Sequence, residues 1–334
     1  MTQEQHAILT FLLGHNELDI QKWDNTFSRG ELCTSWCKNK TITIVGNDLP
    51  SLAVAIGFSQ IGFKVSWIGN YLQLTKHQFW VECSNLTINN DFVDVALLEK
   101  LYARSAFLIY HEDEKYDYFR KIGYPRTFSY NDYSTIIGLS NQILENIPYF
   151  SDLSSRVCDK EYAVFGGSFN PFTTAHFEII AFLTNILGKK VEVIPNGTSY
   201  KLKNLEGTFE RINNLEKVLP LFENASLNLI EFKKNFNGTY QTLRELGHPY
   251  FVMGADSLKD IETWIEPLKL VEENYFIVFN RDKADCLNII KNSTLLSPFC
   301  ERFIVINHFD FVVSSSNYRD TLNQFLIPIN VNNI

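Results

Sequence analysis

The residues between positions 163 and 176 have the types and spacing of an anion site. The sequence there is AVFGGSFNPFTTAH. Gly166 and Gly167 follow an apolar segment, and because glycine has no Cβ they would let a ligand approach the backbone and would allow a positive φ. Ser168 adds a hydroxyl, and Pro171 stiffens the loop and favours an extended residue before it. This part of the segment is therefore suited to a loop that holds a ligand.

The end of the same segment is suited to begin a helix. Thr173 or Thr174 can cap a helix that begins near His176. The free N–H groups of a helix start attract anions, and helical side chains lean toward the N-terminus, so the imidazole would point to the same place. The sequence predicts a phosphate site beside a strand end. A tight turn with a solvent-exposed histidine is the alternative interpretation.

Strands alternate with helices in the half of the chain that follows position 160. This alternation is typical of a parallel sheet, with ligands at the carboxyl ends of the strands. The predicted strands are 162–165, 191–194, 227–231, 250–253, 275–279 and 303–306. The predicted helices are 176–187, 209–219 and 240–245.

The first half of the chain predicts a separate α/β domain. It opens with a β-α-β unit of strand 42–45, helix 51–60 and strand 64–68. Further strands are expected at 79–82 and 107–110, and further helices at 92–102 and 133–145. The segment PYFSDLSSRVCD, 148–159, has turn formers and no clear period. We therefore predict two domains, 1–157 and 158–334.

The first half lacks the signature of a dinucleotide-binding domain. A G-x-G-x-x-G fingerprint would need glycines at Gly46, Asp48 and Ser51, and only the first is present. The second strand ends in Ile68-Gly69-Asn70, without the acidic residue that binds a ribose. The sequence predicts a degenerate Rossmann-like fold without bound NAD or FAD. A role as a scaffold, a dimerisation domain or a regulatory domain stays open.

Composition narrows the class of protein. The chain has 334 residues, a length typical of two domains, and a net charge of −8, which argues against a general nucleic-acid or anionic-membrane binder. The N-terminus has no basic region typical of a signal peptide, and no apolar run approaches the roughly 18 residues of a membrane helix. We expect a cytoplasmic protein with reduced, buried thiols. Its six cysteines are Cys33, Cys37, Cys83, Cys158, Cys286 and Cys300.

The segment GGSFNPFTTAH resembles the signature of the nucleotidylyltransferase superfamily and, more narrowly, that of the nicotinamide/nicotinate mononucleotide adenylyltransferases. Two positions depart from the common pattern. Thr173 stands where many members have a first histidine, and Ala175 replaces the usual glycine. The resemblance covers about residues 160–330. It implies a C-terminal domain with the Rossmann-like nucleotidylyltransferase fold.

Further motifs follow in the family's order. FVMGADSLKDIETW, 251–264, resembles the family segment with Gly-x-Asp-Ser-Leu and a downstream tryptophan. VSSSNYR, 313–319, resembles the C-terminal Ser-Ser-Thr-x-x-Arg. SYKLK, 199–203, followed by Arg211, lies where the family has a basic loop, and NGTYQTL, 237–243, lies where it has a Thr-x-x-Thr-Leu segment.

The resemblance implies a reaction. The phosphate of a pyridine mononucleotide attacks the α-phosphate of ATP, pyrophosphate leaves, and NAD or its deamido form is made. No protein nucleophile is needed, so catalysis consists of positioning and charge stabilisation. Mg²⁺ is expected to be held mainly by the ATP phosphates, because no cluster of ligating side chains suggests a metal site. The partners implied are ATP and a pyridine mononucleotide, and homo-oligomerisation stays open.

The resemblance also assigns roles to residues. The catalytic group is His176, Lys201 and Arg319, with Lys203 able to replace Lys201. The residues expected at the ATP phosphates are Gly166, Gly167, Ser168, Phe169, Thr173, Ser314, Ser315, Ser316 and Arg281. The residues expected at the mononucleotide are Gly254, Asp256, Trp264 and Thr239.

Several of these residues have a structural alternative. Asp256 could bind a ribose or cap a helix over 257–261, and Trp264 could stack on the pyridine ring or belong to the core. Lys201 and Arg281 could be solvated charges. At the level of the whole protein, the alternatives are a nucleotidylyltransferase with another phosphorylated acceptor, and a nucleotide sensor made weak by Thr173 and Ala175.

Overall fold

The computed structural model describes residues 1–28, 35–69, 85–89, 91–157, 160–197, 208–233, 238–280 and 284–307. The chain divides into two compact units, Met1–Ser155 and Arg156–Ile334. The division falls two residues before the predicted boundary. Each unit has its own parallel α/β sheet, so the two-domain α/β fold class is confirmed. No helix within the described ranges is both long and apolar enough to cross a membrane.

The first unit is built around a sheet of β1 to β5 in the order β3-β2-β1-β4-β5, with every pair parallel. A helix lies between β1 and β2, between β3 and β4 and between β4 and β5, as parallel pairing requires. The elements are α1 (Gln3–Leu12), α2 (Glu17–Phe27), β1 (Thr41–Val45), α3 (Leu49–Gln60), β2 (Lys64–Ile68), β3 (Leu86–Asn89), α4 (Val95–Ala103), β4 (Phe107–His111), α5 (Asp117–Ile122), β5 (Thr127–Tyr130) and α6 (Tyr133–Arg156).

The β-α-β opening and β4 are confirmed, whereas the segment 148–159, in which the sequence shows no clear period, is helical up to Arg156. Helix α6 continues through Pro148. Buried Ile143, Ile147 and Phe150 keep a helical spacing on one face, and Pro148 lies on the exposed face. Core packing thus outweighs the low helix propensity of proline. The predicted strand 79–82 lies outside the described residues.

The turn between β1 and α3 is filled by its own side chains. Asp48 caps α3 by accepting the Ser51 N–H at 2.7 Å, and its second oxygen accepts the Tyr130 hydroxyl at 2.6 Å. The Trp67 indole N–H donates to Ser51 Oγ at 2.9 Å. A Cβ on Gly46 would lie 2.1 Å from the Tyr130 hydroxyl oxygen. A dinucleotide pyrophosphate would need this helix start, and a carboxylate and a phenol lie there instead.

The second unit has a sheet of β6 to β11 in the order β11-β10-β9-β6-β7-β8, again with every pair parallel. Its elements are β6 (Tyr162–Gly167), α7 (Thr174–Asn185), β7 (Lys190–Pro195), α8 (Thr208–Val218), β8 (Ala225–Leu227), α9 (Ile230–Lys233), α10 (Thr239–Glu245), β9 (Tyr250–Gly254), α11 (Ala255–Asp260), α12 (Pro267–Glu273), β10 (Tyr275–Phe279), α13 (Cys286–Asn292) and β11 (Phe303–Ile306).

Strands 162–165, 191–194, 250–253, 275–279 and 303–306 are confirmed, and the predicted strand 227–231 is wrong. Strand β8 ends at Leu227, and α9 begins at Ile230. Asn228 Oδ1 accepts the Ile230 N–H at 3.0 Å, a side-chain turn that ends the strand.

The second sheet reverses its direction of growth between β6 and β9. The chain adds β7 and β8 on one side of β6 and then β9, β10 and β11 on the other. Strands β6 and β9 pair directly, with Phe165 opposite Val252. Ligands in open parallel sheets bind at such a switch point, outside the carboxyl ends of the strands. The ends of these two strands, Gly167 and Gly254, therefore mark the expected site.

Glu99 on α4 is a carboxyl group in the core of the first unit. It is 4% exposed, and its Oε1 has no hydrogen-bond partner among the described residues. Burial raises the pKa of Glu99 from 4.5 to about 8. The unfolded chain releases this proton near pH 4.5 and the folded chain near pH 8. The free energy of unfolding therefore falls as the pH rises through this window and levels off above it.

We expect Glu99→Gln to flatten this dependence, because the amide does not titrate. The wild-type slope from Glu99 should be about 1 kcal/mol per pH unit between pH 5 and 8. Urea unfolding followed by circular dichroism at pH 5, 6.5 and 8 measures it. The exposed Glu145→Gln is the control and should keep the wild-type slope. Equal slopes in wild type and Glu99→Gln would contradict the assignment.

Candidate active site

Gly166 and Gly167 are the last residues of β6, and both lie close to aromatic rings. A Cβ on Gly166 would lie 3.1 Å from the Phe251 ring, and one on Gly167 would lie 3.2 Å from the Phe169 ring. Neither glycine has the positive φ that the missing Cβ would allow. The positive φ of this turn, 45°, belongs to Phe169, which is 1% exposed. Such backbone strain in a non-glycine residue is common at functional sites.

Thr173 and His176 form a reciprocal cap at the start of α7, which begins at Thr174. The Thr173 main-chain N–H donates to His176 Nδ1 at 2.9 Å, and Thr173 Oγ1 lies 2.9 Å from the same nitrogen. Since an amide N–H can only donate, Nδ1 is the acceptor, and the ring proton of the neutral imidazole is on Nε2. The prediction that Thr173 or Thr174 caps this helix is confirmed, with Thr173 in that role.

Three phenylalanine rings surround the His176 imidazole. The distances between ring centroids are 5.9 Å for Phe165, 5.1 Å for Phe169 and 5.5 Å for Phe172. His176 itself is half-buried. The rings and the cap together restrict rotation of the imidazole, so the Nε2–H donor has a fixed direction at the helix start.

Arg211 on α8 joins the ends of β6 and β7. Its Nη1 donates to the carbonyl of Ser168 at 3.0 Å and to that of Asn196 at 3.2 Å, and Nη2 donates to Asn196 at 3.2 Å. The Asn196 N–H in turn donates to the Gly167 carbonyl at 2.8 Å. Sequence reasoning had placed Arg211 only at the end of a basic loop. Its link to the loop that carries Ser168 needed the tertiary structure.

Gly254, rather than Asp256, caps α11. The helix begins at Ala255, directly after β9, and Gly254 has extended φ and ψ. The alternative interpretation, that Asp256 caps a helix over 257–261, is therefore wrong. Asp256 is exposed in the first turn of α11, which follows the carboxyl end of β9. Gly167 ends the neighbouring parallel strand β6 on the same side of the sheet. A carboxylate there is accessible to a ligand.

Trp264 packs against the core, which is one of the two roles that the sequence left open. Its ring meets the Phe251 ring edge-on, with centroids 6.1 Å apart and planes at 79°. It packs against the core while remaining half-exposed. Because Phe251 also lies over Gly166, the chain of contacts runs from the glycine turn to Trp264. Part of the indole is therefore anchored, and part is available to a ligand.

Thr239 is the first residue of α10 and lies beside the segment that follows Trp264. Gly238 precedes it with φ 96°, and a Cβ on Gly238 would lie 3.0 Å from Ile265 Cβ. The positive φ and this close approach both favour glycine. Thr239 and Trp264, predicted on separate motifs, are thereby brought to one region.

Glu231 on α9 is a site residue that sequence reasoning missed. Its carboxylate accepts the Gly197 N–H at 3.1 Å and the Thr242 hydroxyl at 3.0 Å. Burial raises its pKa, and the two hydrogen bonds oppose that change. Glu231 ties the end of β7 to α10, which carries Thr239. No sequence pattern marks this carboxylate, because position 231 falls in the predicted strand 227–231.

The other predicted residues lie outside the described part of the chain, and their roles remain predictions. They are Lys201, Lys203, Arg281, Ser314, Ser315, Ser316 and Arg319. No group of three or more His, Cys, Asp or Glu side chains within the described ranges could hold a metal ion.

Comparison with known proteins gives similarities to a family model, to other sequences and to solved structures. A family model described as cytidylyltransferase-like matches residues 164–321. A probable nicotinate-nucleotide adenylyltransferase of Acholeplasma laidlawii is 34% identical over 175 residues, which are 51% of this chain and 90% of that protein. A protein of Clostridium perfringens with the same description is 28% identical over 178 residues, 50% of this chain and 88% of that protein.

A solved structure of Plasmodium falciparum nicotinic acid mononucleotide adenylyltransferase, complexed with APC, is 28% identical with a TM-score of 0.40. It covers 49% of this chain and 85% of that chain. The family-model match lies within the second unit. At 34% identity over nine-tenths of the Acholeplasma laidlawii protein, the chain belongs to the nicotinamide/nicotinate mononucleotide adenylyltransferase family and is a nucleotidyltransferase enzyme.

Proposed function

We propose that the second unit transfers the adenylyl group of ATP to the phosphate of nicotinate or nicotinamide mononucleotide. An oxygen of the mononucleotide phosphate attacks the α-phosphorus, the bond from that phosphorus to the bridging oxygen breaks, and pyrophosphate leaves. The product is deamido-NAD or NAD. The names of the bacterial relatives favour nicotinate mononucleotide as the acceptor.

The observation that carries this proposal is the cap of α7. The bond from Thr173 N–H to Nδ1 leaves the His176 proton on Nε2, at a helix start beside the switch point of the sheet. A helix N-terminus and a fixed N–H donor both favour the charge that develops on phosphate oxygens. In this role the histidine is a hydrogen-bond donor, and no side chain is needed as a nucleophile.

The acceptor would lie toward Trp264 and Thr239. Half-exposed Trp264 offers a ring face for a pyridine, and Asp256 offers a carboxylate for ribose hydroxyls. Lys201, Arg281, Ser314–Ser316 and Arg319 complete the proposed phosphate contacts. Mg²⁺ would come with ATP, held by the phosphates and neutralising the leaving pyrophosphate. The role of the first unit is open.

Incubation with ATP, Mg²⁺ and each mononucleotide tests the proposal. We expect pyrophosphate and a dinucleotide in equal amounts with at least one mononucleotide, measured by chromatography. Other phosphorylated acceptors run in parallel test the alternative substrate class. Binding of ATP without turnover of any acceptor would instead support a nucleotide sensor and refute the proposed reaction.

We expect His176→Ala to lower kcat by about 10²–10³-fold, the usual effect of removing one donor to a developing charge. Thr173→Val should lower kcat less, because the main-chain N–H still orients the imidazole. His248→Ala is the control. His248 precedes β9, at the amino ends of the strands and away from the candidate site, so this variant should keep the wild-type kcat. Near-normal turnover in His176→Ala would rule out the assigned role.

We expect Trp264→Leu to raise the KM for the mononucleotide by roughly 5–100-fold, because stacking of a base on an aromatic ring contributes about 1–3 kcal/mol. The KM for ATP should change little, and Trp264→Phe should restore most of the affinity. Initial-rate kinetics with each substrate varied measure both constants. A loss of stability with an unchanged mononucleotide KM would assign Trp264 to the core alone.

A further inference from the structure

Arg211 lies outside the set of residues to which the proposed function assigns a contact. It is 2% exposed, although arginine is seldom buried without a partner. Ser168 follows β6, and Asn196 follows β7. The three hydrogen bonds that Arg211 donates to their carbonyls therefore hold the ends of two adjacent strands together. Ser168 also begins the loop that leads to Thr173 and His176. The position of that loop therefore depends on the guanidinium.

The charge of Arg211 has no carboxylate partner among the described residues. Its partners are main-chain carbonyls and the Phe232 ring, whose centroid lies 6.0 Å from Cζ, and its buried Nε has no hydrogen-bond partner in the described structure. Burial lowers the pKa of Arg211, but arginine remains charged at neutral pH. A buried cation that is solvated only by carbonyls costs free energy. A neutral donor would join the same two carbonyls at a lower cost.

The location of the charge gives it a use. The guanidinium donates to the carbonyl of Ser168. Ser168 belongs to the loop that is proposed to bind the ATP phosphates. In a site shielded from water, a fixed charge acts over a longer distance than in bulk solvent. The negative charge of a polyphosphate bound at the loop would therefore compensate the positive charge of Arg211, and that positive charge would favour binding of the polyphosphate.

We infer that Arg211 is a positioning residue for the phosphate-binding loop. Its guanidinium fork holds the Ser168 carbonyl in register with the end of β7, and its uncompensated charge biases the loop toward polyanions. The inference rests on the proposed function only for the identity of the polyanion, the triphosphate of ATP. The arginine itself does not touch substrate.

Two substitutions separate position from charge. Arg211→Lys keeps the charge and loses the fork, whereas Arg211→Met loses both. Arg302→Lys is the matched control, because Arg302 also stacks on a ring, with Cζ 5.0 Å from the Tyr275 centroid, and also has an Nε without a partner in the described structure. Arg302 directly precedes β11, so it lies at the amino ends of the strands, whereas Arg211 contacts residues at their carboxyl ends.

The measurements are calorimetric binding of inorganic tripolyphosphate at several salt concentrations, initial-rate kinetics with ATP, and urea unfolding. We expect Arg211→Lys to bind tripolyphosphate within about 3-fold of wild type and to lose at least 10-fold in kcat. Arg211→Met should bind tripolyphosphate at least 10-fold more weakly, with a shallower salt dependence. Arg302→Lys should match the wild type in binding and kinetics.

Several outcomes would overturn the inference. They are wild-type kcat and KM in Arg211→Lys, wild-type tripolyphosphate affinity in folded Arg211→Met, and a wild-type protein that does not bind tripolyphosphate. A merely structural arginine would lower the urea midpoint and leave kcat and KM of the folded protein unchanged. If Arg211→Met does not fold, the kinetics of Arg211→Lys still decide. Failure of wild type to turn over either mononucleotide refutes the proposed reaction, and the tripolyphosphate measurements remain interpretable.

Discussion

The hydrogen bond from the Thr173 main-chain N–H to His176 Nδ1 is the constraint on which the candidate site depends. This hydrogen bond determines that the neutral imidazole has its proton on Nε2. It also caps the start of α7 and orients the Nε2–H donor. The turn after β6 places this helix start at the carboxyl end of the strand. Phe251 packs over Gly166, buried Phe169 takes a positive φ, and Arg211 holds the Ser168 carbonyl. The fold thus converts a histidine at the third helical position into a donor of defined direction.

The two units have the same strand-to-helix architecture, but the capping side chains differ in whether they favour an anion at the start of the helix. Both have a parallel sheet with a helix after the first strand. In the second unit, threonine and histidine cap α7 and contribute donors. In the first, the Asp48 carboxylate caps α3, and Tyr130 donates to it from β5. Burial and the Asp48 charge raise the pKa of Tyr130 well above its ordinary value, so the phenol remains protonated. A pyrophosphate would meet a like charge there, and this agrees with the missing glycine fingerprint.

The elements and the motif positions could be read from the sequence, because they depend on local pattern. Strand 275–279 and strand 303–306 were predicted at their observed bounds. The differences from the sequence-based interpretation have both distant and local causes. Pro148 reads as a helix breaker, but the buried face of α6 carries the helix past it. Position 231 reads as part of an apolar strand, but the Asn228 side chain ends the strand first. For Asp256 the sequence left a helix-cap role open as an alternative, and the direct passage of β9 into α11 at Gly254 excludes it.

The sequence by itself determined the α/β class, the two-unit organisation and the residue types of the site, since periodicity, glycine turns and motif spacing are properties of neighbouring residues. Only the tertiary structure decided how those residues act. It placed Gly166 under Phe251 and Phe251 against Trp264, put the His176 proton on Nε2, and brought Arg211 and Glu231 to the end of β7. Apart from the local hydrogen bond from Thr173 to His176, these arrangements depend on contacts between segments far apart in the chain, where hydrogen-bond geometry and burial, rather than local propensity, set the free energy.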